Sequence, residues 1–385
     1  MKTGKIGLFV LLILLIAACA LPAIPAKPTA APPTATKPPT STPAPTATFT
    51  ATPPEANLKY NWDYWGVLIP GLYHLYGKLP SLDDLVDVTL KNTGKTPLRV
   101  KAEAEVETYT DWAVATVSLA PGEEKVVSLH PVLQPEAIER LSSLREANLH
   151  LRLSLVAPKQ EVLSDFTDTI TIQARRDFPW GLYKEIDGMS IHENNMLLAA
   201  WVTPNDPAVE EWIRDAANYT SNGSMPSGYD YDVRERLEAL WQALDEDYEV
   251  TYVSTAVEMG NPNEEGLDFQ RIRFPREVLS QKSANCIETT LLWASAAEAL
   301  RLHPYIILVP GHAYVAIDSV PDGSRAYFIE TTLIGSGDFD DAVDAGGKEW
   351  DEDGDKVENH AENYEYDMVD VEEAREKGIL PMPWH

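Results

Sequence analysis

From Leu21 to Pro54 the chain is almost entirely proline, threonine, alanine and serine, with Lys27 and Lys37 as its only charges. A stretch of this kind has no apolar period and cannot bury a core, and its prolines favour extended polyproline II. At ~3.1 Å per residue it reaches on the order of 100 Å. Packed structure is therefore confined to the residues beyond Pro54, and residues 19–56 read as a stalk. The 44% hydrophobic content of the 385 residues supports two ordinary domains beside that tract.

Ahead of the tract, Lys2 and Lys5 precede an apolar run from Ile6 to Ala18. The run is too short to span a bilayer as a mature helix but matches a signal-peptide core, so residues 1–18 are expected to be a lipoprotein signal peptide. Ile16-Ala17-Ala18-Cys19 resembles a bacterial lipobox. That implies lipidation of Cys19 and a protein anchored on the extracytoplasmic face of the cell membrane, touching the membrane through the lipid alone. An ordinary secretory signal with an incidental cysteine is the alternative. The chain has two cysteines, so a lipidated Cys19 leaves Cys286 without a disulfide partner in the chain. A lone thiol kept outside the cytoplasm needs either burial or a chemical task. The formal net charge of -29, from 60 acidic against 31 basic residues, repels phosphate and excludes nucleic acid as a partner.

Residues 57–175 change character. Leu85 to Leu90 alternates, Asn92-Thr93-Gly94-Lys95 gives a turn, and Leu98 to Val106 alternates again, which predicts a hairpin. Ala113 to Leu119 and Lys125 to Leu129 repeat the pattern across Ala120-Pro121-Gly122-Glu123, as do Leu149 to Val156 and Phe166 to Ile172. An antiparallel β-sandwich is expected, broken by one short helix from Pro135 to Arg145. The pattern VTLKNTGKTPLRVKAEAEV with LAPGEEKVVSL resembles immunoglobulin-like accessory domains found beside bacterial surface enzymes, which implies a spacer or docking module.

The junction falls at Arg175 to Trp180, and residues 176–385 form the second domain. Asp206-Pro207 opens a helix with Val209, Trp212, Ile213 and Ala216 on one face, and Tyr231 to Leu244 forms another. Tyr248 to Ser254 alternates like a strand. Cys286 then precedes the alanine- and leucine-rich run Ile287 to Leu300, a buried helix that Ser283 or Asn285 can cap, which places the thiol in its first turn. There the helix dipole and free backbone N–H groups stabilise a thiolate and can hold an oxyanion. His303-Pro304 ends the helix. Three strands come next, Tyr305 to Val309, His312 to Ile317 and Tyr327 to Ile329, and in an antiparallel meander His312 and Glu330 become neighbours. Glu330 then fixes the imidazole tautomer while the other ring nitrogen faces the thiol. Asp318 is the rival acid.

Asn285-Cys286, Gly311-His312-Ala313 and Glu330-Thr331 fit the pattern of the transglutaminase-like superfamily, which residues 207–332 resemble. Gln270, Ile272, Arg273, Pro275, Glu277, Val278 and Leu279 match the Q-x-I-R-x-P-x-E-V-L step of a bacterial subgroup. The third member is usually Asp in the family, and Glu330 is one methylene longer. The resemblance implies an α+β, transglutaminase-like (papain-like) domain and a Cys286, His312, Glu330 triad acting on a peptide or protein substrate at the cell envelope through a thioester. Gln270 and Gln281 are the candidate oxyanion donors. Hydrolysis as a protease or amidase is expected; a cross-linking acyltransferase and a non-catalytic adaptor binding peptide or glycan are the alternatives.

Near the end, Asp351, Asp353 and Asp355, the carbonyl of Val357 and Glu362 stand at offsets 1, 3, 5, 7 and 12, which resembles a calcium loop of the EF-hand kind. Lys356 stands where that loop needs glycine, and a solvated acidic loop is the other reading. The triad chemistry requires no cofactor, and calcium would enter only through this loop. Tyr366 to Val371 and Glu372 to Lys377 read as a strand and a short helix, and the apolar tail from Ile379 to Trp384 is expected to dock.

Overall fold

Alternation of apolar and polar side chains decides the first half of the computed structural model, which describes residues 57–184, 186–254 and 268–383, with the side chains of residues 362 and 363 left out. The signal peptide, Cys19 and the linker of residues 19–56 lie outside the described residues. Strands β1 (Leu58–Tyr64), β2 (Val67–Leu68), β3 (Val86–Asn92), β4 (Leu98–Val106), β5 (Ala113–Leu119) and β6 (Glu124–Leu129) come first. Helix α1 (Pro135–Glu139), β7 (Arg145–Ala157) and β8 (Glu161–Ile172) complete this half. They make two sheets, β1-β3-β6 and β2-β8-β7-β4-β5. The long strands bury every second residue, Leu149, Leu151, Leu153 and Leu155 on β7 for example, as expected of sheets with one face on a core and one in solvent.

Two of the expected hairpins are arches instead. Strand β3 pairs with β1 and β6, whereas β4 pairs with β5 and β7. The turns at Asn92–Lys95 and Ala120–Glu123 therefore carry the chain from one sheet to the other. Asn92, fully buried, stitches the two arches together. Its Nδ2 donates to the carbonyls of Thr96 (2.8 Å) and Leu119 (3.1 Å), its N–H to Glu123 O, and its own carbonyl accepts from Gly122 N. Only β7 and β8 form the hairpin predicted. The expected helix up to Arg145 stops at Glu139, and β7 begins at Arg145 itself. Strand β1 is silent in the sequence because its largely exposed side chains show no apolar alternation.

The second half opens with β9 (Asp177–Pro179), α2 (Ile191–Met196), α3 (Pro207–Ala216) and α4 (Val233–Gln242). Asp206 caps α3, its Oδ1 accepting from Ala208 N at 2.9 Å, with proline at the first helical position. The strand expected over Tyr248 to Ser254 shrinks to β10 (Thr251–Tyr252). Next come β11 (Phe269–Arg271), α5 (Pro275–Gln281), β12 (Ser283–Ala284) and α6 (Cys286–Ala299). β9 pairs antiparallel with β11, and β10 pairs parallel with β12. The chain ends through β13 (Pro304–Val309), β14 (His312–Asp318), β15 (Ala326–Ile329), α7 (Phe339–Glu358), α8 (Ala361–Tyr364), β16 (Asp367–Asp370) and α9 (Val371–Glu376).

The last four strands form an antiparallel sheet in the order β15-β14-β13-β16. Its two faces are both covered, which explains the near-continuous apolar runs of β13 and β14. Ile306, Leu308, Ala313 and Val315 join the main core, to which Ile287 and Leu291 of α6 belong. Ile307, Val309, Tyr314 and Ala316 form a second cluster with Val357 of α7 and Tyr366.

The main core runs without a break from Leu58 to Met382, and the described residues hold together as one compact unit. Arg175 and Arg176, the expected junction, act as a tether, since both guanidinium groups donate to Glu277 Oε1 on α5, Arg175 at 2.6 Å. The apolar tail docks as expected through buried Ile379 and Met382, with Met382 N donating to Ala200 O and His74 Nε2 lying 2.9 Å from Leu380 O. Trp384 lies outside the described residues. The fold is mixed α+β, as the sequence predicts.

Candidate active site

Cys286 is the first residue of α6 and is buried. Asn285 caps the helix: its Oδ1 accepts from Glu288 N (3.0 Å), while Glu288 Oε2 accepts from Asn285 N (3.1 Å), a reciprocal capping box. Of the two caps the sequence allows, Asn285 is thus the one used. Glu288 is pinned in turn by Arg273, whose Nε donates to Oε1 (2.9 Å) and Nη2 to Oε2 (2.6 Å). The thiol therefore sits on a fixed helix start, at the positive end of the dipole.

The Pro310-Gly311 turn leads into β14. Gly311 has φ +75°, a conformation glycine adopts freely, and His312 stands next, at the strand start. Ile329 on β15 pairs with Val315 on β14, so Glu330, one residue past the end of β15, comes beside the imidazole. His312 Nε2 lies 2.6 Å from Glu330 Oε2. The other carboxylate oxygen accepts from Thr332 N at 2.7 Å, and Glu330 N donates to Ala342 O. The threonine after Glu330 has a structural task, because the fully buried Thr331 and Thr289 hydroxyls meet at 2.7 Å. Thr289 stands one turn beyond Cys286, so this bond locks the helix of Cys286 to the loop of Glu330.

The Cys286 side chain lies close enough to His312 to act on its ring. With Nε2 occupied by Glu330, Nδ1 is the nitrogen left for the sulfur. Burial opposes a charge on the ring, yet the interactions with Cys286 and then Glu330 outweigh it and raise the His312 pKa from 6.5 to about 10. The ring is an imidazolium through the neutral range. Burial works against the Glu330 carboxylate, but the hydrogen bond and charge of His312 hold its pKa below the ordinary value.

Two further side chains reach this site without having been legible in the sequence. Glu349 on α7 places Oε2 3.7 Å from His312 Nε2, in a group with Glu330 whose polar atoms lie within 4.8 Å of one another. Burial first, then the charge of Glu330, push its pKa from 4.5 up to about 7, the behaviour of a carboxyl group beside a second one. The signal was a helical one: Ala342, Gly346, Glu349, Asp353 and Val357 recur at three- and four-residue spacing on one face of α7. Tyr252 on β10 lies close enough to feel Cys286 and Glu330; burial first, then their charges, raise its hydroxyl pKa.

Other expected residues fall elsewhere. Asp318 lies at the far end of β14, where it accepts from Tyr305 Oη at 3.2 Å, and takes no part in the triad. Gln270 on β11 accepts from Trp180 Nε1 at 2.7 Å, and its buried Nε2 has no hydrogen-bond partner among the described residues. Gln281 ends α5 on the surface, its Oε1 held by Arg273 Nη1 at 3.0 Å. The acidic loop is corrected outright. Asp351, Asp353, Asp355 and Val357 lie within the continuous helix α7, capped by Asp338, where alternate residues diverge around the axis instead of wrapping an ion. Lys356 Nζ binds Asp353 at 2.6 Å. Glu362 falls on α8, and its side chain lies outside the described residues.

No family model matches the chain, and no curated protein matches it. Among solved structures, a solution structure of a protein described as late embryogenesis abundant aligns at 15% identity over 30% of this chain and 68% of its own, with a TM-score of 0.16. A likeness that weak supports no argument about fold or activity.

Proposed function

We propose that residues 176–385 are a transglutaminase-like (papain-like) cysteine hydrolase acting on a peptide or amide carbonyl, with residues 57–175 as an immunoglobulin-like accessory module of a lipid-anchored extracytoplasmic protein. The observation that carries this reading is the grouping itself: Cys286 at a capped, buried helix start, beside His312, whose Nε2 lies 2.6 Å from Glu330.

Those positions suit the following chemistry. Sulfur, as thiolate, attacks the carbonyl carbon, and the electron pair moves to the oxygen. The imidazolium of His312 gives its proton to the departing amine, leaving a thioester on Cys286. Neutral His312 then takes a proton from water, which attacks the thioester and releases the acid, and the proton returns to sulfur or remains on the ring as the ion pair. Glu330 keeps the ring oriented throughout. The oxyanion is met by backbone N–H at the start of α6, with Gln270 as side-chain donor because its buried Nε2 has no partner among the described residues. Gln281, exposed and held by Arg273, is the weaker of the two.

The test is peptide-substrate profiling by mass spectrometry with the wild-type chain, Cys286→Ala and His312→Ala, with and without an added primary amine. Cleavage or deamidation that disappears in both variants supports hydrolysis, and amine incorporation in its place makes the protein an acyltransferase. If Cys286 alkylates at neutral pH no faster than a free model thiol and Cys286→Ala alters no substrate, the enzyme reading fails in favour of a binding role.

A further inference from the structure

A second cluster of chemistry-bearing side chains lies apart from Cys286, where three elements meet. His192 comes from α2, His360 from the link between α7 and α8, and Asp367 from the first position of β16. Asp367 is completely buried, and both imidazoles turn their Nδ1 atoms onto the same carboxylate oxygen: His192 Nδ1 lies 2.9 Å and His360 Nδ1 2.8 Å from Oδ1. The other oxygen, Oδ2, accepts from Asn195 Nδ2 at 2.8 Å. Tyr364 stacks on both rings, with centroids 4.8 Å from His360 and 5.9 Å from His192.

Two features separate this cluster from an ordinary buried hydrogen-bonded acid. Oδ1 is approached by a third nitrogen, the N–H of Met368 at 2.9 Å, so one oxygen faces three nitrogens. The backbone is also held in the left-handed region at His360 (φ +49°) and again at Tyr364 (φ +65°). Neither is glycine, and such conformations persist where the surroundings require a side chain to be aimed. The donor atoms all lie within 4.8 Å of one another. Ligands at about 2.0–2.1 Å from a zinc ion in tetrahedral or square arrangement stand about 2.9–3.4 Å apart, so the present spacing needs only a small opening to admit one.

We propose that His192, His360 and Asp367 form a zinc site that clasps α2, the α7–α8 link and β16 together. Two imidazoles and one carboxylate suit zinc over calcium or magnesium, which prefer an all-oxygen shell. Each ring binds as a neutral imidazole through Nδ1 with its proton on Nε2. Asp367 contributes the negative charge, Asn195 steadies its second oxygen, and water completes the fourth position. The His360 side chain, 37% exposed, leaves an entry from solvent. Asp367 pairs with Leu308 on β13, next to Val309, which pairs with His312. The clasp thus pins the sheet about 10 Å, two strand spacings, from the candidate nucleophile's base.

The test loads the chain with Zn(II), removes unbound metal, and measures bound zinc by mass spectrometry together with the melting temperature. Cys286→Ser is the reference, since it removes the thiolate as a competing ligand. About one zinc per chain and a raised melting temperature are expected. His360→Ala and His192→Ala should each weaken binding by about tenfold or more, while His312→Ala leaves it unchanged. Retention of no zinc by the folded reference overturns the proposal. So does undiminished zinc in both His192→Ala and His360→Ala, or loss of zinc in His312→Ala. The partly exposed His360 keeps the test valid even where a change at buried Asp367 would prevent folding.

Discussion

At the residue scale, three carboxyl and imidazole groups in contact, His312, Glu330 and Glu349, carry a net charge that depends on whether Glu349 keeps its proton. Glu349 holds its proton to about pH 7 because burial and the Glu330 charge oppose its ionisation. The unfolded chain releases that proton near 4.5. Between these values the folded state binds more protons than the unfolded one, so stability falls as pH rises through this window. Glu349→Gln, which keeps the shape without the charge, should therefore raise the melting temperature by about one or two degrees at pH 8 and change it little at pH 4. Equal shifts at both pH values, read by calorimetry, would mean that Glu349 acts through packing alone. For His312 the sign is the same at a higher window: its raised pKa gives stability present in full below 6.5 and lost as pH rises through about 10. Cys286, His312 and Glu330 were legible because each occupies a sequence-marked position, a helix start, a Gly-His turn and a strand end. Glu349 was not, because nothing local distinguishes it from the acids around it.

At the element scale, α7 decides where Glu349 and the loop after Glu330 lie, and two adjacent glycines report how. A Cβ at Gly346 would come within 2.6 Å of Phe328 O on β15, whereas at Gly347 nothing lies within 4 Å. Gly346→Ala should cost about 1–3 kcal/mol by pushing α7 away from the sheet. Gly347→Ala should stabilise by about 0.5–1 kcal/mol, because alanine loses less backbone entropy in a helix. Urea unfolding of the pair gives opposite shifts of the midpoint if the helix packs this way; shifts of the same sign refute that packing. The acid-rich composition of 351–355 suggested a loop by ligand offsets alone, but the cap at Asp338 and the apolar positions at one helical spacing carry the helix through it. The arches at Asn92 and Ala120 teach the same lesson for strands. Alternation says which side chains are buried, and the identical turn residues serve a hairpin within one sheet or a crossing between two.

At the scale of the whole molecule, the two halves expected as separate domains share one core, a guanidinium–carboxylate tether and a clamped tail. One calorimetric transition is therefore expected for the folded chain. Glu277→Ala, which leaves Arg175 and Arg176 without their common acceptor, should lower stability by on the order of 2–3 kcal/mol, less than for a fully buried pair, without splitting that transition. Two resolved transitions in the unmodified chain would show that the halves fold independently. Local pattern alone reveals the long alternating strands, the capped helix that starts at Cys286, and the order of sulfur, imidazole and carboxylate along the chain, because periodicity, caps and turns act over a few residues. Packing in three dimensions settles which strands pair, brings Glu349 beside His312 and Glu330, and makes His192, His360 and Asp367 converge. Those contacts join residues up to 175 positions apart, and their energies depend on burial and on neighbours that no local pattern encodes.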